Sequence, residues 1–226
     1  MFWNLLLAHF LADYPLQNSW MAAHKDRWQV LALHAGIHFA VMMLVISPAW
    51  RELWPYILLL ALVHFLIDRG KLALNALRPG WVVLPYLIDQ LLHYLILGAA
   101  AWWIVRTQGS PTLALDPDLA ILATGYLLGT YVWAISEKVL TAAQPESRQE
   151  WAAGLWPRMA VRALLLTGLL WLLYPGRAGI AGLVQGTALP YLSGTHARRA
   201  LFTDLLVTIG AWLFIIAAFW LHSGGL

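Results

Sequence analysis

The sequence contains no cysteine. That absence excludes a disulfide-stapled secreted fold and a zinc finger built on thiolates, and it leaves nitrogen and oxygen as the ligands for any metal. Charge is scarce as well. Asp, Glu, Lys and Arg make up 11% of the 226 residues, where a soluble domain carries about 25%. So few charges cannot clothe a water-soluble protein of this size, and a disordered chain would need more of them. The serine-hydrolase Gly-x-Ser-x-Gly elbow, the Walker loop and the dinucleotide glycine fingerprint are all missing, which disfavours those enzyme classes. No basic stripe interleaved with aromatics is present, so nucleic acid is not an expected partner.

What is present is 61% hydrophobic residues in long runs. A membrane-spanning helix needs about 20 mainly apolar residues. The runs predict an all-α polytopic transmembrane bundle of seven or eight spans. The first is short, Phe2 to about Tyr14, and ends at Pro15. Others cover Trp28 to Ile46, Leu53 to Asp68 with a possible extension to Leu77, Trp81 to Val105, Leu119 to Leu140, Trp156 to Tyr174 and Leu201 to Leu221. Residues 178–194 are glycine-rich and read as a further span or a re-entrant segment. Thr141 to Glu150 reads as a polar loop. Residues 1–106 are expected to form a four-helix metal-binding bundle and 107–226 the scaffold of the same membrane domain.

Alternating spans sort the basic residues. The side reached after the first helix receives Lys25, Arg27, Arg69, Lys71, Arg78, Lys138, Arg148, Arg158, Arg162, Arg198 and Arg199; the other side receives only Arg51, Arg106 and Arg177. The last two of the first group depend on residues 178–194 crossing. Cytoplasmic loops carry the Lys/Arg excess. The expected location is therefore a bacterial inner membrane, with the N-terminus outside. The net charge of +3 reads as orientation, with attraction to anionic membrane lipids as a secondary effect.

The informative residues interrupt the first four runs. They are His9 and Asp13 in HFLAD, His34 and His38 in HAGIH, His64 and Asp68 in HFLID, and Asp89 and His93 in DQLLH. Each pair is spaced i, i+4, which stacks two side chains on one helix face. That spacing lets one helix offer two ligands to one metal. The depths agree too. His34 lies six residues past Trp28 and Asp89 eight past Trp81, which at 1.5 Å per residue is ~9–12 Å below the interface. An antiparallel bundle would bring all four pairs to one level. Each pair alone could be a private hydrogen bond; four at one depth point to a shared site, because ionisable groups inside spans usually face the bundle interior and pair or coordinate.

The expected site is a divalent-metal centre holding one or two ions, zinc foremost, with manganese or iron also suited to imidazole and carboxylate. His9, Asp13, His34, His38, His64, Asp68 and His93 are the candidate ligands and Asp89 the candidate general base. Arg69 and Lys71 would bind a phosphate or lipid headgroup at the mouth, unless they serve only as topology anchors. Gln17 and Gln90 would orient ligands or water, or act as plain interhelical amides. The charged stretch His24 to Arg27 reads as solvated. Glu137 is expected to neutralise Arg162 or Lys138. Gly125 and Gly129 form a small-xxx-small pattern for close helix contact. The expected function is a metal-dependent hydrolase acting on a small-molecule phosphate ester or lipid-like substrate. The alternative is a transporter or channel for divalent metal or protons, for which the repetition of HFLAD as HFLID suggests a duplicated hairpin. A third reading makes the layer a folding staple. Oligomeric state is not legible.

The segments His9 to Lys25, Leu33 to His38, His64 to Leu72 and Leu87 to Leu95 resemble the DUF3307 family of bacterial membrane proteins, over about the first 100 residues. Order, spacing and the accompanying Gln17, Trp20, Lys25 and Gln90 carry the resemblance. It implies a common fold unit and a special status for the polar pairs, and it implies no reaction. HFLID is more distantly similar to the His-x-x-x-Asp element of membrane-bound metal-dependent hydrolases, although their usual HR…THS opening is missing here.

Overall fold

The structure is a computed structural model that describes residues 1–142, 145–172 and 197–224. Among these residues the regular elements are all helical. In chain order they are α1 (Phe2–Asp13), α2 (Ser19–Ala23), α3 (Trp28–Ile46), α4 (Trp50–Leu77), α5 (Val83–Gln108) and α6 (Pro117–Leu127). A π-helical turn (Leu128–Val132) follows, then α7 (Trp133–Leu140), α8 (Pro145–Leu172) and α9 (Ala197–His222). The chain divides into two compact units, Met1–Thr124 and Gly125–Leu226.

The helix ends follow local chemistry. Asn18 caps α2, its side-chain oxygen accepting from the Met21 N–H at 2.8 Å, the usual way an orphaned first-turn donor is satisfied. Pro85 stands in the first turn of α5, where no intrahelical N–H is needed. Gly109 ends that helix at φ 77°, a left-handed conformation that glycine adopts without a Cβ penalty. α8 begins at Pro145, so the expected loop Thr141 to Glu150 is shorter than its polarity suggested. Proline's fixed φ favours the first helical position, and the charged residues after it are good helix formers.

Among the described residues, four helices are long and apolar enough to cross a membrane by length and composition: α3, α5, Pro117–Leu140 and Ala200–His222. The expectation of seven or eight spans is met only to that extent. α1 has 12 residues and is ~18 Å long, short of the ~30 Å hydrocarbon layer. Residues 178–194 lie outside the described residues.

In the first unit α1, α3, α4 and α5 pack together. Their burial is inverted relative to a water-soluble bundle. α4 exposes Leu58, Leu59, Leu62 and Leu66 while burying His64 and Asp68. α5 exposes Leu84, Leu87, Leu91 and Leu95 while burying Asp89, Gln90 and His93. Apolar side chains outside and polar ones inside is the arrangement that suits lipid as solvent. α1, although short, is almost wholly enclosed, with Asn4 through Phe10 all buried.

In the second unit α8 and α9 pack on each other and on the π-helical turn. A Cβ added at Gly125 would overlap the Ile215 side chain, and one at Gly129 would stand 3.3 Å from the Ala211 Cβ. The two glycines thus admit α9 closely, as their spacing predicted.

Candidate metal centre

Each of the four bundle helices turns one polar pair inward, because residues four apart share a face. The four pairs meet. Asp13, at the C-terminal end of α1, is their hub. Its Oδ1 lies 3.0 Å from His34 Nε2, 3.0 Å from His38 Nε2 and 3.8 Å from His64 Nε2. Its Oδ2 lies 3.4 Å from His9 Nε2. His34 Nε2 and His64 Nε2 are 3.1 Å apart. The His38 and His64 rings stack with centroids 3.6 Å apart, and His93 stands 4.2 Å from His64 and 5.0 Å from His9. All five histidines are buried, as are Asp68 and Asp89.

These separations suit a metal. Ligands at zinc-type distances of ~2.0–2.1 Å stand ~3.4 Å apart at tetrahedral angles. Four of the six edges among Asp13, His34, His38 and His64 run from 3.0 to 3.8 Å and bracket that value. One ligand atom from each of these four residues falls within 4.8 Å of the others, and the same holds for His9, Asp13 and His93, and for His64, Asp68 and His93. The donor set is imidazole and carboxylate throughout, which accepts zinc, manganese or iron. Several buried atoms have no hydrogen-bond partner: His9 Nε2, the Nδ1 of His34 and His38, both ring nitrogens of His93, and Asp89 Oδ1. Unpartnered buried polar atoms are costly and few in folded proteins, and a metal ion is one group that could satisfy those gathered here.

The other carboxylates are anchored by lysine. Lys25 Nζ donates to Asp68 Oδ2 at 2.7 Å, and Lys71 Nζ donates to Asp89 Oδ2 at 2.8 Å. Asp68 Oδ2 also approaches His34 Nε2 and His64 Nε2, at 3.5 and 3.7 Å. Gln90 Nε2 donates to Asp89 Oδ2 at 3.0 Å, and Gln90 Oε1 accepts from the hydroxyls of Tyr14 and Tyr94, each at 3.0 Å. Gln90 and Lys71 thus both hold Asp89, whereas the sequence reading has Lys71 bind a phosphate or headgroup at the mouth. Arg69 does not join the layer. It is exposed, since one residue along a helix turns about 100° away from the face that Asp68 occupies. Gln17 is half-buried with an unpartnered Oε1.

Lys25 is the main correction. The sequence reads His24 to Arg27 as a solvated loop, yet the Lys25 side chain is only 15% exposed and reaches a carboxylate 43 residues away. α2 sets up that reach by folding the segment back after α1. The tyrosines were also missed. Tyr94 was findable, because it lies four residues after Gln90 on the buried face of α5.

A family model described as a protein of unknown function (DUF3307) matches residues 1–121. The chain belongs to the DUF3307 family. No curated protein and no solved structure matches it. The DUF3307 portion contains the whole polar layer, both lysines and the Gln90–tyrosine cluster.

The second unit has a different polar core. Asp204, fully buried, accepts from Arg158 Nη2 and Arg162 Nη1, each at 2.7 Å, and from Arg158 Nε at 2.9 Å. Glu137 Oε1 accepts from Arg158 Nη2 at 2.9 Å. Arg162 Nε donates to the Gly129 carbonyl at 2.6 Å. Glu137 thus pairs with Arg158 rather than with Arg162, which takes Asp204 instead. Asp204 escaped sequence reasoning because a lone aspartate in an apolar run has no i, i+4 partner to flag it.

Proposed function

We propose that this protein is a metal-dependent hydrolase of the bacterial inner membrane. Its His/Asp layer opens to the cytoplasmic leaflet and acts on a phosphate-ester or lipid-like substrate. The observation that carries the reading is the coexistence, in one buried layer, of a group of four clustered ligand atoms and a carboxylate kept apart from it. Asp13, His34, His38 and His64 have ligand-like separations, with Asp68, His9 and His93 beside them. Asp89 has one oxygen held by Lys71 and Gln90 and the other unpartnered.

A bound divalent cation supplies Lewis acidity and brings the pKa of water toward neutrality. The chain's own groups do the rest. Asp89 Oδ1 accepts a proton from the attacking water, which is the task of a general base within hydrogen-bond reach. Lys71 and Gln90 fix the orientation of that carboxylate, and Tyr14 and Tyr94 fix Gln90 in turn. Lys25 and Lys71, partly exposed at the edge of the layer, attract an anionic headgroup. The orientation rests on the excess of basic residues on the side reached after α1.

The test begins with protein purified without chelator or affinity metal, in wild-type, His34→Ala and His64→Ala forms. Elemental analysis should find metal in the wild type and less in both variants. Substoichiometric metal in every sample would sink the proposal. Reconstituted vesicles then decide the chemistry. Turnover of a phosphate-ester or lipid panel without ion flux supports the hydrolase, whereas flux without turnover makes the layer a transport site.

A further inference from the structure

We infer that the layer holds two cations side by side, bridged by Asp13, and that the second, held by His9, His93 and Asp13, is the one with a position open to substrate. This rests on the metal-dependent reading above and adds to it which ion faces the chemistry.

The two oxygens of Asp13 address different imidazoles. Oδ1 faces His34, His38 and His64, whereas Oδ2 faces His9 Nε2 at 3.4 Å. A carboxylate divided in this way bridges two ions, which in two-metal sites stand ~3.5–4 Å apart. The first set already offers four protein atoms, the closed coordination of a structural zinc site. The second offers three, from His9, Asp13 and His93, the number that leaves one place for water or substrate. His93 is also close to His64 and Asp68. However, His64 belongs to the first set, and Asp68 is held by Lys25 at 2.7 Å, so His93 is free for the second.

An independent observation falls on the same spot. His9 Nε2 and both nitrogens of His93 are buried and lack any hydrogen-bond partner. His9 is 1% exposed and His93 3%. In an apolar surround such atoms are costly, and a cation between them removes the cost. Asp89 completes the arrangement. Its unpartnered Oδ1 stands 3.8 Å from His93 Nδ1, too far for a hydrogen bond, which puts this carboxylate beside a ligand of the second ion. The proposed base thus neighbours His93, a ligand assigned to the second ion.

The experiment loads the full-length, detergent-solubilised protein with Mn(II), removes free ion and measures metal content and the electron paramagnetic resonance spectrum together. The wild type should hold two ions per chain with an exchange-coupled spectrum. His9→Ala and His93→Gln should each hold one ion with an uncoupled spectrum, a twofold drop in content. One uncoupled ion in the wild type, unchanged in both variants, overturns the second site while leaving the first intact. No ion in any sample overturns the metal reading itself. If either variant fails to fold, the stoichiometry and coupling of the wild type still decide.

Discussion

In the second unit no buried nitrogen or oxygen of the Arg158, Arg162, Glu137 and Asp204 side chains lacks a hydrogen-bond partner, and the Gly129 and Thr130 carbonyls also accept from Arg162. The polar layer of the first unit does the opposite. Its five histidines converge on too few acceptors, and several ring nitrogens have no partner. Both clusters are buried among apolar residues, where unpaired polar groups are expensive. One is complete in itself; the other is the cluster that the proposed cation would complete. A buried network that satisfies itself works as a staple, whereas one that is systematically short of partners describes the ligand it takes.

Removing one partner tests that contrast most severely. Asp204→Leu leaves the buried Arg162 guanidinium without its carboxylate and should cost about 3–5 kcal/mol, read by denaturant unfolding in detergent. A loss below about 1 kcal/mol would mean that the second network is not the staple described here. Metal removal should act only on the first cluster. A chelator should lower wild-type stability by about 2.7 kcal/mol from conditions at one hundred times the dissociation constant. The shift should vanish in Asp13→Ala and persist in Glu137→Gln; equal shifts in both variants would erase the distinction between the clusters. Lys25→Ala should cost about 1.5–3 kcal/mol, the range for a hydrogen bond to a charged group, because it leaves Asp68 unneutralised. A solvated lysine would cost far less, so a thermal melt separates the two readings of that loop. The smallest effect belongs to Gly36, which lies between His34 and His38 with open space where a Cβ would go. Gly36→Ala should stabilise by about 0.5–1 kcal/mol with metal content unchanged, and any loss of metal would show the α3 ligands to be more tightly constrained than the packing indicates.

Much of the first unit was legible before the structure. The apolar run ending before Ser47 and Pro48 set α3 at Trp28–Ile46, and the i, i+4 spacing put each polar pair on one face. The depth argument foresaw that the pairs would meet. It could not foresee which atoms would meet, because helix spacing constrains residues within one helix and leaves its rotation against its neighbours open. Asp13 as hub, Lys25 as a partner of Asp68 and the tyrosine support of Gln90 all depend on that rotation. Arg69 shows the converse, since adjacency in sequence to Asp68 means a different face of α4.

The sequence by itself determined the class of molecule, its apolar helices and the four places where polar pairs interrupt them, since these follow from hydrophobicity and helical period. Only the tertiary structure decided that Asp13 divides its two oxygens between two groups of histidines and that Asp204 closes a separate arginine network. Such pairings link residues far apart in the chain, such as Asp13 with His38 and Arg158 with Asp204. They arise from packing several helices at once, and no local spacing encodes them.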